Sequence, residues 1–359
     1  MSAPRVVALA GSPREMGLAH GQAFREQIRR YTEERVALAG SALWTGHAMR
    51  REAVLALAEA CIPAHAAYSP ELTEEMAGIA EATGLSLAEL VITNGFTDFI
   101  DLVYARGSGE IVTERVEDDC TAFIVPDRLS ADGKGFFGQT WDMHASSAPY
   151  VVLLHGRPAG GRAFMAFSLT GCVGMIGMND AGIAIGINNL LGAGGQIGVT
   201  WPLVVRKALQ QTDIEAALAC ITGARLVGAH NFQLFDRLGN GINVEAMPAH
   251  CHVTRTASAA LVHTNHCLDP RTLALCRPRA ADSQASSEAR LAAGERGLRR
   301  EGVTAEALMA LTRAPEICVR AEPPLDMETC GAAIMQPAMG RFWAVQGLPT
   351  ENDYAAFSI

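Results

Sequence analysis

Three short stretches of the chain carry residue types able to do acyl chemistry. Glu117-Asp118-Asp119-Cys120-Thr121-Ala122-Phe123 sets a thiol behind an acidic run and directly ahead of an apolar, β-prone segment, which suits a cysteine at the start of a buried strand. Twenty-two residues on, Gly138-Gln139-Thr140-Trp141-Asp142 ends a second strand-like run, and His263-Thr264-Asn265-His266 lies far downstream. A cysteine attacks acyl groups as its thiolate, and a thiol pKa of about 8.5 leaves only a minor fraction ionised near neutrality, so a base is needed. If the Asp119–Cys120 bond is cut, the new α-amine of Cys120, with a pKa of about 7.7 to 8.0, sits beside the sulfur and supplies that base. The same thiol can attack the Asp119 carbonyl first, turning the amide into a thioester that water opens. A papain-like site would instead need a Cys-Gly-x-Cys-aromatic signature, which is absent around Cys120.

The other residues fit around that nucleophile. Asp142 can orient the new ammonium or the substrate through charge-assisted hydrogen bonds, although a turn residue after a strand is the plainer reading of the residues alone. Asn265 can donate its side-chain N–H to the oxyanion formed on attack, a contribution typically worth about 3 kcal/mol. Asn188, in Gly186-Ile187-Asn188-Asn189, is a second polar candidate or a structural amide. Thr121, Trp141, His263 and His266 are read as supports. Glu117 and Asp118 read as a solvated loop.

At these residues the chain resembles the acyl-coenzyme A:6-aminopenicillanic acid acyltransferase family, a branch of the N-terminal nucleophile hydrolases. The resemblance rests on Cys120-Thr121, on Gly138-Gln139 with Trp141-Asp142, and on His263 to His266, in the family's order and approximate spacing. It extends to Gly11-Ser12-Pro13-Arg14-Glu15-Met16-Gly17 with His20-Gly21, to the segment from Glu75 to Ala80, and to the segment from Asn179 to Ala184. Two positions depart from the pattern: Asp119 stands where the penicillin-forming relatives carry glycine, and Thr140 replaces their asparagine. An arginine those enzymes use near a C-terminal strand has no secure counterpart around Glu328-Thr329-Cys330. The resemblance implies a four-layer αββα sandwich, with residues 1–119 wrapping residues 120–359 as a separate chain after self-cleavage, giving an α/β heterodimer that is one compact domain. It also implies catalytic roles for Cys120, Asp142 and Asn265, and substrates such as N-acyl amines, β-lactam nuclei or amino-acyl amides, with an acyl donor such as acyl-coenzyme A. Hydrolysis and acyl transfer differ only in whether water or an amine takes the acyl group, and assembly beyond the two-chain unit stays open.

Two other readings compete. His250, His252, His263 and His266 invite a metal-dependent amidohydrolase, but their spacing lacks a coherent Cys/His ligand set, so no metal and no cofactor are expected. An uncleaved, non-catalytic binding relative is the other. The glycine clusters at 171–177 and 192–195 lack nucleotide-fingerprint spacing and read as turns and close packing, and no Gly-x-Ser-x-Gly elbow occurs.

Composition sets bounds on partners and place. A chain of 359 residues with 49% hydrophobic and 19% charged residues can bury a large core. A net charge of −9 with scattered arginines argues against a nucleic-acid or anionic-membrane surface. No run of about 18 apolar residues offers a membrane span. Nine cysteines, an odd number without a Cys-x-x-Cys pair, suit a reducing cytoplasm, with Cys61 and Cys220 read as small buried hydrophobes.

The elements that must position the site follow from pattern. Helices are expected over 14–38, 51–67 and 70–82, with Gly84 ending the last and Ser86 with Glu89 forming a capping box for the next. From residue 120 the texture turns to strands at 121–125, 135–141, 150–154, 163–169 and 182–187, with hairpin-sized gaps that imply antiparallel pairing. A helix pair at 201–211 and 213–221 follows, then strands at 231–236, 241–246 and 259–264. Residues 277–287 read as an exposed loop before a helix near 288–300, and final strands are expected at 332–335, 342–346 and 354–359.

Overall fold

The computed structural model describes residues 4–107, 120–321 and 326–359. The chain begins with β1 (Arg5–Gly11) and a helical run of α1 (Pro13–Ala23), α2 (Arg25–Ala39), α3 (Ala42–Thr45), α4 (Arg51–Tyr68), α5 (Pro70–Thr83), α6 (Leu87–Thr93) and α7 (Phe96–Arg106). It continues with β2 (Thr121–Val125), β3 (Phe136–His144), β4 (Val151–Pro158), β5 (Phe164–Leu169), β6 (Ile176–Asn179) and β7 (Ile183–Leu190), then α8 (Trp201–Ala208) and α9 (Ile214–Thr222). The last third holds β8 (Ala229–Asp236), β9 (Gly241–Met247), β10 (His250–Thr256), β11 (Leu261–His263), α10 (Pro270–Leu273), α11 (Ala281–Gly297), α12 (Ala305–Leu311), β12 (Met327–Gln336), β13 (Arg341–Gln346) and β14 (Ala355–Ser358).

Local chemistry sets many of these boundaries. Ser12 with Glu15 and Ser86 with Glu89 form reciprocal capping boxes that satisfy the first N–H groups of α1 and α6. Gly84 ends α5 at φ +75°, a left-handed conformation that glycine adopts without steric cost. Asp213 caps α9 by accepting from the Ala216 N–H.

The architecture is mixed α and β with two sheets. One sheet has the order β1-β4-β5-β6-β7-β8-β9-β10 and the other β11-β2-β3-β12-β13-β14. All named strand pairs are antiparallel except β1 with β4. The sheets face each other, with β2 and β3 lying against β7, β2 against β8, and β12 against β6. Every residue of β2, β3, β7 and β8 is buried, as strands covered on both faces must be. Gln139 of β3 crosses between the layers, accepting from the Ile187 N–H at 2.9 Å and donating to the Ile187 carbonyl. α8 and α9 cover the first sheet at β7 to β9, while α11 and α12 cover the second at β2, β11 and β12. The αββα layering expected from the resemblance is the architecture observed.

Several elements differ from the sequence expectation, among them the helix expected over 14–38, which is broken at Phe24 into α1 and α2, and α7, which was not expected. The chain opens with a strand that the sequence pattern did not mark: β1 buries Val7 and Leu9 on one face and runs parallel to β4 in full register from Arg5 with Val152 to Gly11 with Pro158. β6 starts at the end of the glycine cluster at 171–177, where small residues hide the two-residue alternation. β10 is an edge strand whose largely polar sequence gives little strand signal. Residues 281–287 belong to α11 rather than to a loop, and Ser283 and Ser287 are buried, because their small side chains let the helix lie close to the second sheet. No single helix among the described residues is long and apolar enough to cross a membrane.

Candidate active site

Cys120 immediately precedes β2 and is 3% exposed. Because β2 is a buried inner strand paired with β3 and β11, its N-terminal end is fixed in the core rather than at a loose terminus. Asp119, Asp118 and Glu117, including the proposed cleavage junction, lie outside the described residues.

Three side chains from different elements converge on the Cys120 backbone. Its nitrogen donates to Asn265 Oδ1 at 2.7 Å. Its carbonyl accepts from Asn188 Nδ2 at 3.1 Å and from Arg290 Nη1 at 2.8 Å. Arg290 Nη1 also faces Asn265 Oδ1 at 3.1 Å and Thr121 Oγ1 at 3.3 Å, so one buried guanidinium joins the nucleophile, its neighbour and the asparagine. The Cys120 sulfur lies 3.9 Å from the Asp142 carbonyl on β3. Thr140, the departure from the family pattern, accepts from the Thr121 N–H at 3.2 Å and so reinforces the start of β2 from its pairing partner.

Asn265 is held just as firmly. Its Nδ2 donates to the Asn189 carbonyl at 3.2 Å, its N–H to Ser287 Oγ at 3.0 Å, and its carbonyl accepts from Arg279 Nη1 at 2.7 Å. Asn188 is oriented by accepting from Asn231 Nδ2 at 3.2 Å.

The tetrad histidines shape the loop that presents Asn265. His263 Nε2 pairs with the buried Glu245 carboxylate at 2.9 Å, and His266 Nδ1 lies 2.7 Å from Ser287 Oγ. Burial opposes ionisation of Glu245, but hydrogen bonds from His263, Thr272 and the Leu268 N–H outweigh it and bring its pKa down to about 2. Burial, helped by the charge of His263 and the nearby arginines, lowers His266 to about 4, so it is neutral at pH 7. Three of the histidines weighed as a metal set have other partners: His252, on the edge strand β10, faces Arg271, and His263 and His266 contact Glu245 and Ser287. Among the described residues no group of three or more His, Cys, Asp or Glu is placed to hold a metal ion.

A narrow cavity of about 30 Å³ opens beside the thiol. Cys120, Trp141 and Asp142 line it from the strands, and Tyr31, Phe96 and Trp201 from α2, α7 and α8. The walls are chiefly apolar and aromatic. The space holds a water molecule or two, so a larger group enters only if rings or helices shift.

Sequence reasoning located Cys120, Asn188, Asn265, Thr121, Trp141 and Asp142, and the structure brings all six together. It missed Arg290, Ser287, Glu245 and Arg279. A usable signal existed for Arg290: it lies on one helix face with Ser283, Ser287, Ala293 and Gly294, and an arginine among such small residues is shielded rather than snorkelling to water.

Comparison with known proteins points to one family. A family model described as acyl-coenzyme A:6-aminopenicillanic acid acyl-transferase matches residues 129–296. The family resemblance holds. The "Acyl-coenzyme A:6-aminopenicillanic-acid-acyltransferase 40 kDa form" of Emericella nidulans is 25% identical over 265 residues, 73% of this chain and 69% of its own length. The chain is an enzyme of C–N amide chemistry. Two solved structures are also similar. A conjugated bile acid hydrolase from Clostridium perfringens matches at 11% identity and a TM-score of 0.46, over 67% of this chain and 97% of that one. Penicillin V acylase from Agrobacterium tumefaciens matches at 10% identity and a TM-score of 0.38, over 68% and 80% respectively.

Proposed function

We propose that the chain is a self-processing N-terminal cysteine amide hydrolase or acyltransferase that acts on small N-acyl amines through a thioester. The observation that carries this reading is the seat of Cys120, whose nitrogen is held by Asn265 at 2.7 Å while its sulfur borders an apolar cavity. Cutting before Cys120 would turn that nitrogen into an α-amine already anchored beside the thiol, with His263 and His266 committed elsewhere. The amine takes the thiol proton, and the thiolate attacks the acyl carbonyl to give a tetrahedral oxyanion. Collapse breaks the C–N bond, and the leaving amine takes the proton back. Water or a second amine then opens the thioester. The second N–H of the Asn265 amide can meet the acyl oxygen, and the ring-lined cavity suits an apolar acyl group. Residues 1–119 and 120–359 then form one domain of two chains, in keeping with the reducing cytoplasm that the cysteines suggest.

Intact mass under denaturing conditions tests the cleavage: the expected result is two fragments, the larger beginning Cys-Thr by N-terminal sequencing, with both processing and turnover lost in Cys120→Ala. Full-length protein with full amidase activity would show that the α-amine is not the base.

A further inference from the structure

Two of the nine cysteines form a pair beside the site. Cys267 Sγ and Cys276 Sγ are 3.3 Å apart, a hydrogen-bonded dithiol rather than a disulfide. Cys267 follows the tetrad and is buried, whereas Cys276 is partly exposed on the wall of a cleft of about 240 Å³ that also contacts Asn265, His266 and Arg279. The pair is chemically asymmetric. Its hydrogen bond with Cys267, helped by Arg279, holds the Cys276 thiol below its usual range; the same contact, with burial, pushes Cys267 up. Cys276 is the more exposed residue of the two, and a resolving thiol is already in contact with it.

The dithiol bridges the two segments that hold Cys120. Cys267 is two residues beyond Asn265. Cys276 forms a β-bridge with Gly192, flanked by bonds from the Ala193 N–H to the Leu275 carbonyl and from the Arg277 N–H to the Leu191 carbonyl, just beyond Asn189, whose carbonyl accepts from Asn265.

We propose that Cys267 and Cys276 are an oxidative modification site, closed to a disulfide by hydroperoxides, whose closure shifts Asn265 and lowers turnover. The Cys276 sulfur attacks the terminal oxygen of the hydroperoxide, the O–O bond breaks, the alcohol leaves with a proton, and a sulfenic acid remains. The Cys267 sulfur then attacks the sulfenic sulfur; the S–S bond forms, the S–O bond breaks, and hydroxide leaves with the Cys267 proton as water. Two thiols and one hydroperoxide thus become one disulfide, one alcohol and one water. Closure to about 2.05 Å draws the sulfurs together by more than 1 Å. A displacement of about 1 Å near a nucleophile can cost about a hundredfold in rate.

The effect on turnover rests on the proposed function; the disulfide itself does not, and the experiment separates them. The whole protein is treated with cumene hydroperoxide and digested with trypsin without reduction. Cleavage after Arg255, Arg271 and Arg279 leaves Cys267 in peptide 256–271 and Cys276 in peptide 272–279, joined only by the disulfide. The expected result is the linked pair, accompanied by a loss of kcat of about tenfold or more and reversed by dithiothreitol. Cys276→Ser, under the same treatment, gives no linked pair and keeps most of its rate, which separates the effect from oxidation of Cys120. If wild type shows no linked pair at a dose that oxidises Cys120, the site assignment is wrong. A linked pair with unchanged kcat, or an unchanged rate of Cys120 alkylation by iodoacetamide should the protein lack amidase activity, removes the coupling to Asn265.

Discussion

At the scale of single residues, the least expected feature is Arg290, a fully buried cation whose Nη1 lies 2.8 Å from the Cys120 carbonyl and 3.1 Å from Asn265 Oδ1. It holds the nucleophile's backbone carbonyl, so its role is positioning. Lysine carries its charge on a flexible stem one bond shorter, so its ammonium does not reach the place that Nη1 holds among these three acceptors. Arg290→Lys is therefore expected to lower kcat by about tenfold or more with little change in KM, because a misplaced nucleophile is felt in the chemical step. Steady-state kinetics alongside a thermal melt would check it, and an unchanged kcat would leave Asn188 and Asn265 as sufficient to seat Cys120. Cys120 and Asn265 were legible because a thiol at a strand start and an amide between two histidines are unusual locally. Arg290 was not, because its partners lie 170 and 25 residues away in sequence and no local pattern encodes them.

At the scale of elements, the strands that carry the site were legible and the helix that locks it was half missed. β2 reads directly from its apolar run, and β7 from Ile183, Ile185 and Ile187. The start of α11 carries Ala, Ser, Asp and Gln in place of an apolar stripe, so its inward face is recognisable only once the sheet it covers is known. Small residues matter equally between α1 and α5. A Cβ on Gly17 would stand 1.9 Å from the Glu75 carbonyl oxygen, and one on Gly78 2.4 Å from the Arg14 carbonyl oxygen, so the two helices meet backbone to backbone. Alanine at a helical glycine ordinarily gains about 1 kcal/mol in propensity. Here the clash is with main chain that cannot rotate away, and overpacking of this kind costs about 1 to 3 kcal/mol or more. Gly17→Ala should therefore lower the urea midpoint rather than raise it, and a rise would mean that the helices can separate freely.

At the scale of the whole molecule, buried histidines set the response to acid. Burial lowers His20 and His65 to about 4 and His230 to about 3, with Arg206 adding to the effect at His20. The unfolded chain binds these protons near pH 6.5, well before the folded one does. Their contribution to stability is thus complete above pH 6.5 and is lost as pH falls toward the folded values, each histidine contributing about 1.4 kcal/mol per pH unit in that window. Urea denaturation at pH 5 should give a clearly lower midpoint than at pH 7.5, and equal midpoints would mean that these rings are not held neutral. The residues before and after position 120 are also tied by the buried Arg206–Glu75 pair at 2.7 Å, by the Gly171 N–H donating to His20 at 3.0 Å, and by β1 in register with β4. The cavity beside the thiol is shared across that boundary: Tyr31, Thr93, Phe96 and Thr97 come from the earlier part, Cys120, Trp141 and Asp142 from the later. A cut before Cys120 would leave selection of the acyl group and attack upon it on separate polypeptides, so a library of altered first segments could be reassembled on one unaltered reacting segment, turning substrate choice into an exchangeable part.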